Sequence, residues 1–513
     1  MTGHFSHTDT TTFDRRRIIS RAAIAIAFLL AVAPTVQAQN SIKALTDTLR
    51  YTLEDAVMTA LERNPTVTIQ RLSHDISDTY RRQQLAGFDP YLSAGMSNTD
   101  SKSQRFLGAM REPYELDTKR FQYNVGLDED LPTGTNVSVD VAMSGYRSNI
   151  YTDQYTGAMG ITVTQSLLRG FGFGANLAGL RRANLDVDIS RAELKGVAER
   201  LVGDVEAAYW NLYLAAEEIA IQERSMALAE QQLRESEERV AVGKLPELEL
   251  AAVHAEVASR RESLIQSLGN YEQARLQLLF LLNPKSQISW DIPVLTAERP
   301  SIPPDSLDLV DDHVALGLKF RPDLNQAQFQ LKRGEIDVVQ TRNGLLPQLD
   351  VFITMGKTSY AETFNEGRPD ISSKFYDIMT GFTFSIPIFD RSERARNARA
   401  KYTVEQQKEA VRNMERMVER DIRSAYIDVS RSRQLIDASR VSRELQEKKL
   451  AAEQEKFRVG KSTNFLVLQT QRDYILSQLA EARSLVSYLN SLTDLYLMEG
   501  TLLERRRIDP GID

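Results

Sequence analysis

The chain has 513 residues, of which 42% are hydrophobic and 26% charged, a composition typical of a folded protein rather than a disordered one. Because it contains no cysteine, disulfides, thiolate metal sites and a lipid-modified N-terminal cysteine are excluded. The net charge of −7 argues against a nucleic-acid partner, and five histidines leave little for catalysis or metal binding. We therefore predict a protein that is not an enzyme and that uses no metal and no cofactor.

The first 38 residues have the organisation of a secretory signal peptide. Four arginines up to Arg21 precede the apolar run 22–33, and small residues lead to Ala38. The run is shorter than the about 20 residues of a spanning helix. We expect cleavage after Ala38, followed by an N-terminal segment at 39–51. No later stretch reaches 18 uncharged apolar residues, so any further membrane crossing must use β-strands.

The rest of the sequence is duplicated. Residues 55–65 (DAVMTALERNP) match residues 312–322 (DHVALGLKFRP) at an offset of 257. From Ala208, which matches Ala425, the constant offset is 217. Such agreement over a long stretch indicates an internal repeat. The difference of 40 between the offsets means that the first repeat carries extra residues between its short helix and its long helix.

Two structural repeats are predicted, at 52–282 and 309–499. A proline-rich linker at 283–308 joins them, and a C-terminal tail follows at 500–513. Each repeat has a short helix, a β-region, a very long helix, and a returning helix after a Val-Gly-Lys break. We place these at 66–86, about 88–168, 175–241 and 247–282, and again at 323–343, about 346–389, 394–458 and 463–498.

The long helices carry apolar residues at every seventh position, which predicts left-handed coiled coils. The first has the row Val205, Leu212, Ile219, Met226, Leu233 and Val240 beside the small row Leu201, Ala208, Ala215 and Ala229. Its length corresponds to roughly 100 Å, the returning helix to about 55 Å and the short helix to about 30 Å. We therefore expect the short and returning helices to stack end to end beside the long one, within the helical hairpins 175–282 and 394–498.

Between the helices, apolar and polar residues alternate with the period of β-strands. The pattern covers 121–127, 137–143 and 159–163 in the first repeat, and 349–355 and 378–388 in the second. Alternation alone fits a soluble β-domain with one buried face equally well. The position of these segments between very long helices, on an exported chain, favours membrane strands with an apolar lipid face and a wet interior.

One chain cannot close a barrel with so few strands, because the smallest membrane barrels have eight. An open edge in lipid would leave backbone groups without hydrogen bonds. Several copies must therefore share one barrel. The fold class predicted from the residues is mainly α with transmembrane β: duplicated long coiled-coil helical hairpins, and strands that contribute to a β-barrel shared by several copies.

These features resemble the TolC-like outer membrane efflux proteins. The resemblance rests on the duplicated helix–strand–helix plan, on the ends of the β-regions at 165–170 (QSLLRG) and 385–389 (SIPIF), and on the Val-Gly breaks. It implies a homotrimer with a 12-stranded barrel, four strands per protomer, in outer-membrane lipid above a periplasmic helical tunnel. It also implies the outer membrane of a Gram-negative bacterium as the location.

The resemblance further implies passive conduction of drugs and other small molecules from a periplasmic adaptor (membrane fusion) protein and an inner-membrane pump of the RND, ABC or MFS type. The alternative within the same fold is a type I secretion duct, whose cargo is protein. A periplasmic adaptor or a coiled-coil scaffold without a pore is the alternative from a different class. The sequence does not identify the cargo, the pump, the adaptor or the state of the gate.

The resemblance also implies that the hairpin tips contact the adaptor and form the periplasmic entrance. The tip residues are Val242, Gly243, Lys244, Val459, Gly460 and Lys461. Glycine also suits a tight helix reversal because it adopts positive φ. A candidate acidic ring at the entrance rests on Glu247 and Glu249 alone, since no acid follows the second tip before Asp473.

Four other patterns receive structural interpretations. The glycines at 170–174 are interpreted as a strand-to-helix bend rather than a dinucleotide loop. His254 lacks a histidine partner at i+4, so we predict no zinc site there. The basic run 505–507 is interpreted as a solvated tail. A turn at 131–135 indicates an extra hairpin in the first repeat. The pattern leaves open whether this hairpin widens the barrel, lengthens its strands or lies outside the membrane.

Overall fold

The computed structural model describes residues 49–106, 113–283, 290–303 and 307–508. The predicted signal peptide and its cleavage site lie outside these residues. The helices are α1 Leu53–Arg63, α2 Pro65–Leu85, α3 Phe173–Asn176, α4 Ala178–Ala241, α5 Leu248–Leu282, α6 Val310–Phe320, α7 Pro322–Gly344, α8 Arg391–Arg458, α9 Asn464–Glu499 and α10 Leu502–Arg505. The strands are β1 Leu49–Tyr51, β2 Tyr91–Arg105, β3 Tyr114–Leu131, β4 Thr135–Ser148, β5 Gln154–Ser166, β6 Val294–Thr296, β7 Gln348–Ala361 and β8 Tyr376–Ser385.

The two long helices, α4 and α8, have 64 and 68 residues. At 1.5 Å per residue each is about 100 Å long. Their heptad rows form the packed seam: Val205 and Leu212 on α4, and Ile422 and Val429 on α8, are at most 2% exposed. α4 packs along α5, and α8 packs along α9. The predicted fold class, with duplicated long helical hairpins and a sheet, is confirmed. No helix within the described ranges combines the length and apolar content that a bilayer crossing requires.

The short helices continue the returning helices, as predicted. Where α5 ends and α2 begins, Asn64 Nδ2 donates to Leu281 O at 3.0 Å, and Asn283 Nδ2 donates to Arg63 O at 3.0 Å. In the second repeat, the Cα of Gly500 at the end of α9 lies against the backbone of Arg321, just before α7. The described part of each chain therefore forms four helix columns: α5 with α2, α4, α9 with α7, and α8.

The segment between the repeats is more than a linker. Its strand β6 pairs in parallel with β1, Leu49 opposite Val294. Tyr209 of α4 ties this pair to the shaft, since its hydroxyl donates to Tyr51 O and accepts from the Glu298 N–H, both at 3.1 Å. Proline content correctly indicated a break between the repeats. It gave no sign that a three-residue strand would find a partner some 245 residues earlier.

The longer strands form one antiparallel sheet in the order β2-β3-β4-β5-β7-β8. Six strands replace the four per protomer that the family resemblance implied. The repeat offsets identify the surplus. At an offset of 217, β4 and β5 correspond to β7 and β8, whereas the 40 extra residues correspond to the hairpin β2–β3. Sequence analysis located the extra material but did not recognise β2 as a separate strand.

The arginines at 505–507 are exposed, as a solvated tail would be, but two of them also contact the helical shaft. Arg506 Nε and Nη2 donate to Glu206 Oε1 and Oε2 at 2.6 and 2.7 Å. The Arg505 guanidinium lies 4.1 Å from the centre of the Tyr496 ring. The preceding residues, Leu502 and Leu503, are buried. The carboxylate that binds Arg506 belongs to Glu206, 300 residues earlier in the chain, so the basic run by itself does not indicate this contact.

Candidate functional site

The first hairpin tip is a Schellman turn. Gly243 N–H donates to Val240 O at 2.9 Å, and Lys244 N–H donates to Arg239 O at 2.8 Å, which are the two bonds that define this helix ending. Gly243 has φ +70°. A residue with a Cβ is strained in that region, so the turn itself selects glycine here.

The second tip repeats this geometry. Gly460 has φ +75°, its N–H donates to Phe457 O at 3.1 Å, and the Lys461 N–H donates to Lys456 O at 2.8 Å. Thr463 is the N-cap residue of the returning helix α9, and its hydroxyl accepts the Leu466 N–H at 3.4 Å. The two Val-Gly-Lys sequences thus form the same turn in both repeats.

The two tips lie side by side at one end of the molecule. The Arg239 guanidinium is 4.7 Å from the Phe457 ring centre, and Gln232 Nε2 donates to Asn464 Oδ1 at 3.3 Å. Large apolar side chains around both turns are strongly exposed: Val242, Leu248, Val459 and Phe465. A Cβ on either tip glycine would meet no atom within 4 Å. An apolar patch of this kind at the end of a rigid shaft is typical of a protein–protein contact.

Glu247 and Glu249 are both exposed, at the start of α5 beside the first tip. A carboxylate in the first helical turn also interacts favourably with the helix dipole, which gives both residues a local structural role. Near the second tip, sequence analysis missed a carboxylate that precedes the turn. Glu453 accepts a hydrogen bond from the Ser462 hydroxyl, and this bond, with that from Lys456, lowers the pKa of Glu453.

Ion pairs join the two hairpins further along the shaft. Glu256 of α5 is 3% exposed and lies 2.7 Å from Arg472 of α9 and 2.5 Å from Arg260. Arg483 of α9 lies 2.7 Å from Glu218 of α4. No sequence motif marks the two pairs between the hairpins, Glu256–Arg472 and Glu218–Arg483, because each joins residues more than 200 positions apart. They connect the two hairpins along the shaft.

At the opposite end of the shaft, the sheet has two chemically different faces. One rung of paired residues crosses all six strands and is apolar throughout: Leu92, Leu127, Val139, Ile161, Met355 and Ile378. These side chains are 38–68% exposed. The neighbouring rung faces the other side and contains only small or polar residues: Ser93, Gly126, Asp140, Gly160, Gly356 and Asp377.

Charged residues mark both ends of the apolar face along β3. Its apolar side chains lie between Glu129 at one end and Lys119, which pairs with Asp100 at 3.5 Å, at the other. The ten intervals from 119 to 129 cover about 34 Å of strand, or about 26 Å along a barrel axis at a tilt of about 40°. Outer-membrane barrels have an apolar band about 25 Å tall. The exposed apolar face therefore has the height of a membrane-facing surface.

The described residues form a shaft about 100 Å long, a sheet with one exposed apolar side and with edge strands that lack a partner there, and apolar turns at the far end. These features are those of a wall subunit of a multichain membrane channel. The sequence model of the outer membrane efflux protein family matches residues 56–284 and 316–501. The chain belongs to this family.

Two similar proteins carry the name pyoverdine export outer membrane protein OpmQ. The one from Pseudomonas putida is 26% identical over 337 residues, and the one from Pseudomonas aeruginosa is 27% identical over 341 residues. The alignments cover 62% and 63% of this chain, and 66% of each relative, just under two thirds of its length. A crystal structure of a membrane protein from Pseudomonas aeruginosa has the same fold, with a TM-score of 0.68, 18% identity, and coverage of 88% of this chain and 91% of that one.

Proposed function

We propose that the protein is the outer-membrane channel of a tripartite export system. It conducts small molecules such as drugs, without an energy source of its own, from an adaptor and an inner-membrane pump to the exterior. The observation that carries this proposal is the apolar rung across all six strands, at the end of a helical shaft about 100 Å long. Membership of the outer membrane efflux protein family supports it.

A homotrimer in the outer membrane of a Gram-negative bacterium completes the wall. The edges of the sheet, β2 and β8, have no partner strand within the described part of the chain. In lipid such edges require pairing, and identical copies supply it. The signal peptide, removed after about Ala38, directs export of the chain.

The apolar tips are the proposed contact with the periplasmic adaptor protein. Val242 and Val459 present exposed side chains there. The glycine turn after each valine sets the position of its side chain, and a lysine follows each glycine. Glu247 and Glu249 from three copies would supply six carboxylates at this end, enough for a cation-binding entrance ring. The tip location, the exposure and the shared turn geometry support both assignments.

Small molecules are the favoured cargo. Both OpmQ relatives are named for export of pyoverdine, which favours small-molecule efflux over the alternative, a type I protein secretion duct. Membership of the outer membrane efflux protein family supports an inner-membrane pump as the energy source. The RND, ABC and MFS classes all remain compatible with a passive duct.

Planar-bilayer recording of the protein purified from outer membranes tests the proposal. We expect discrete ion-conducting steps from a detergent-stable trimer. The rival class, an adaptor or scaffold without a pore, predicts no conductance and recovery from a soluble or inner-membrane fraction. A trimer that binds lipid but never conducts would exclude a duct.

A further inference from the structure

The sheet contains more strands than a four-stranded protomer would contribute, and the surplus hairpin β2–β3 is fully integrated. β3 pairs with β4 from Leu131–Thr135 to Thr118–Ser148, and β2 pairs with β3 along its whole length. The apolar rung starts on β2, at Leu92, and continues without a polar interruption to Ile378 of β8. The surplus hairpin therefore has the same membrane-facing surface as the other four strands.

The width of six strands matches the width of the shaft. Four helix columns at about 10 Å spacing cover about 40 Å of wall. Six strands at about 4.8 Å spacing and about 40° tilt cover about 38 Å, whereas four would cover about 25 Å. With six strands, the wall passes from helices to sheet without a change in diameter.

The edges of the sheet coincide with the edges of the helical layer. β2 follows α2 through the short turn Ala86–Phe88, and β8 leads directly into α8. Both helices carry unpartnered apolar side chains within the described structure, at Ile69, Leu72 and Ile76 of α2 and at Ile427, Val441 and Leu445 of α8. One side of the chain thus presents α2 with β2, and the other presents α8 with β8.

We propose that β8 of each copy pairs with β2 of the next copy, so that three copies close an 18-stranded barrel. The even number of strands makes β8 antiparallel to the incoming β2, as in every other pair of this sheet. Such a barrel is about 36 Å across between backbones, against about 24 Å for twelve strands. The proposal rests on the trimeric channel proposed above and adds the strand count, the joining strands and the width.

The alternative is a 12-stranded barrel of β4, β5, β7 and β8, with the hairpin β2–β3 folded outside the membrane. In that arrangement β8 would pair with β4 of the next copy. The two arrangements therefore differ in which strand lies beside β8 across the junction, and cysteine cross-linking can distinguish them. The chain has no cysteine of its own, so the background is clean.

The experiment places Thr380→Cys on the apolar side of β8. It is combined in turn with Ala94→Cys, Met96→Cys or Asn98→Cys on the same side of β2, and separately with Val139→Cys, Val141→Cys or Met143→Cys on β4. After oxidation in membranes, we expect disulfide-linked trimers from at least one β2 combination and from none of the β4 combinations. Trimers linked through β4 would overturn the 18-stranded barrel and leave the channel function intact. Absence of any trimer, linked or native, would overturn both.

A second measurement does not depend on the register of the junction. Met96→Cys lies on the apolar side of β2, and its neighbour Ser97→Cys lies on the opposite side. A water-soluble maleimide should label Met96→Cys at least roughly tenfold more slowly than Ser97→Cys in intact membranes, because lipid covers the first and water the second. Equal, rapid labelling of both positions would place the hairpin outside the bilayer and overturn the proposal.

Discussion

The long helices of the two repeats share one heptad pattern but have different surroundings. α4 lies inside the helical layer, between the α5–α2 and α9–α7 columns, whereas α8 lies at its edge. At the offset of 217, Trp210 of α4 is 6% exposed and its counterpart Ile427 of α8 is 64% exposed. Duplication therefore reproduces an element and its core-facing stripe. The fold decides whether the other faces meet a neighbour within the chain.

Charged residues show the same difference. Glu206 of α4 is fully buried, where it accepts hydrogen bonds from Arg506 and from the Thr493 hydroxyl. The equivalent position in α8 is Arg423, which is exposed and pairs with Glu419 and Asp311 on the surface. Inside the layer a charge requires fixed partners, whereas at the edge water is sufficient.

The largest expected effect comes from removing the buried carboxylate of Glu206. Glu206→Ala leaves the Arg506 guanidinium and the Thr493 hydroxyl without their carboxylate. Because the Arg506 side chain is 39% exposed, we expect a cost toward the lower end of the about 3–5 kcal/mol of a fully buried pair. We expect a large fall in the thermal denaturation midpoint and poor recovery of folded protein. Arg423→Ala, at the equivalent edge position, is the matched control and should leave the midpoint unchanged. Equal effects of the two substitutions would contradict the inside–edge distinction.

Glu199 gives a pH-dependent form of the same comparison. Burial raises its pKa to about 8, although Lys195 opposes the shift. The folded state therefore holds this carboxyl protonated at neutral pH, while the unfolded chain ionises above its ordinary value of 4.5. Because the unfolded state loses its proton first, the free energy of unfolding falls as pH rises from about 4.5 to about 8.

Glu199→Gln removes this loss, so the variant should be more stable than the parent. Its gain in the free energy of unfolding should be larger at pH 8.5 than at pH 5.5, and the two gains should differ by about 3 kcal/mol. Denaturation midpoints of both proteins at the two pH values measure the effect. Arg416→Gln, at the equivalent position of α8, should show no such pH dependence. A gain from Glu199→Gln that was the same at both pH values would contradict a buried, protonated carboxyl.

The tips are the region where the repeats remain equivalent. Gly243→Pro or Gly460→Pro forbids φ near +70° and removes the turn N–H donor, at a local cost of more than about 1 kcal/mol. We expect each to reduce adaptor-dependent export while trimers still assemble, as drug-susceptibility assays and native electrophoresis can show. Gly269→Ala, at an exposed helical glycine, controls for the loss of glycine itself. Normal export by both proline variants would remove the tips from the adaptor contact.

The acidic residues beside the first tip give the smallest effect. Glu247→Ala combined with Glu249→Ala should leave stability nearly unchanged, because both side chains are exposed. It should weaken block of the channel by divalent cations by roughly threefold or more, since cation attraction depends on local negative charge. Glu262→Ala, further along α5, is the control in the same bilayer assay. Identical block in all three proteins would exclude an entrance ring at these residues.

The sequence by itself determined the elements and their order. Hydrophobic period, glycine turns and the duplicated pattern are local properties, so they correctly predicted the short, long and returning helices, the Val-Gly-Lys turns and the alternating strands. The change in offset even gave the size of the surplus hairpin, because an insertion of 40 residues shifts every later match. The family resemblance followed from this order of elements.

The tertiary structure alone decided which surfaces meet. That β2 joins the same sheet, that β6 pairs with β1, and that Arg506 reaches Glu206 all depend on contacts between residues far apart in the chain. Periodicity shows that a helix or strand has an apolar side, but it does not show which partner covers that side. For this protein, that partner is sometimes another element of the chain and, at β2, β8, α2 and α8, the proposed neighbouring copy.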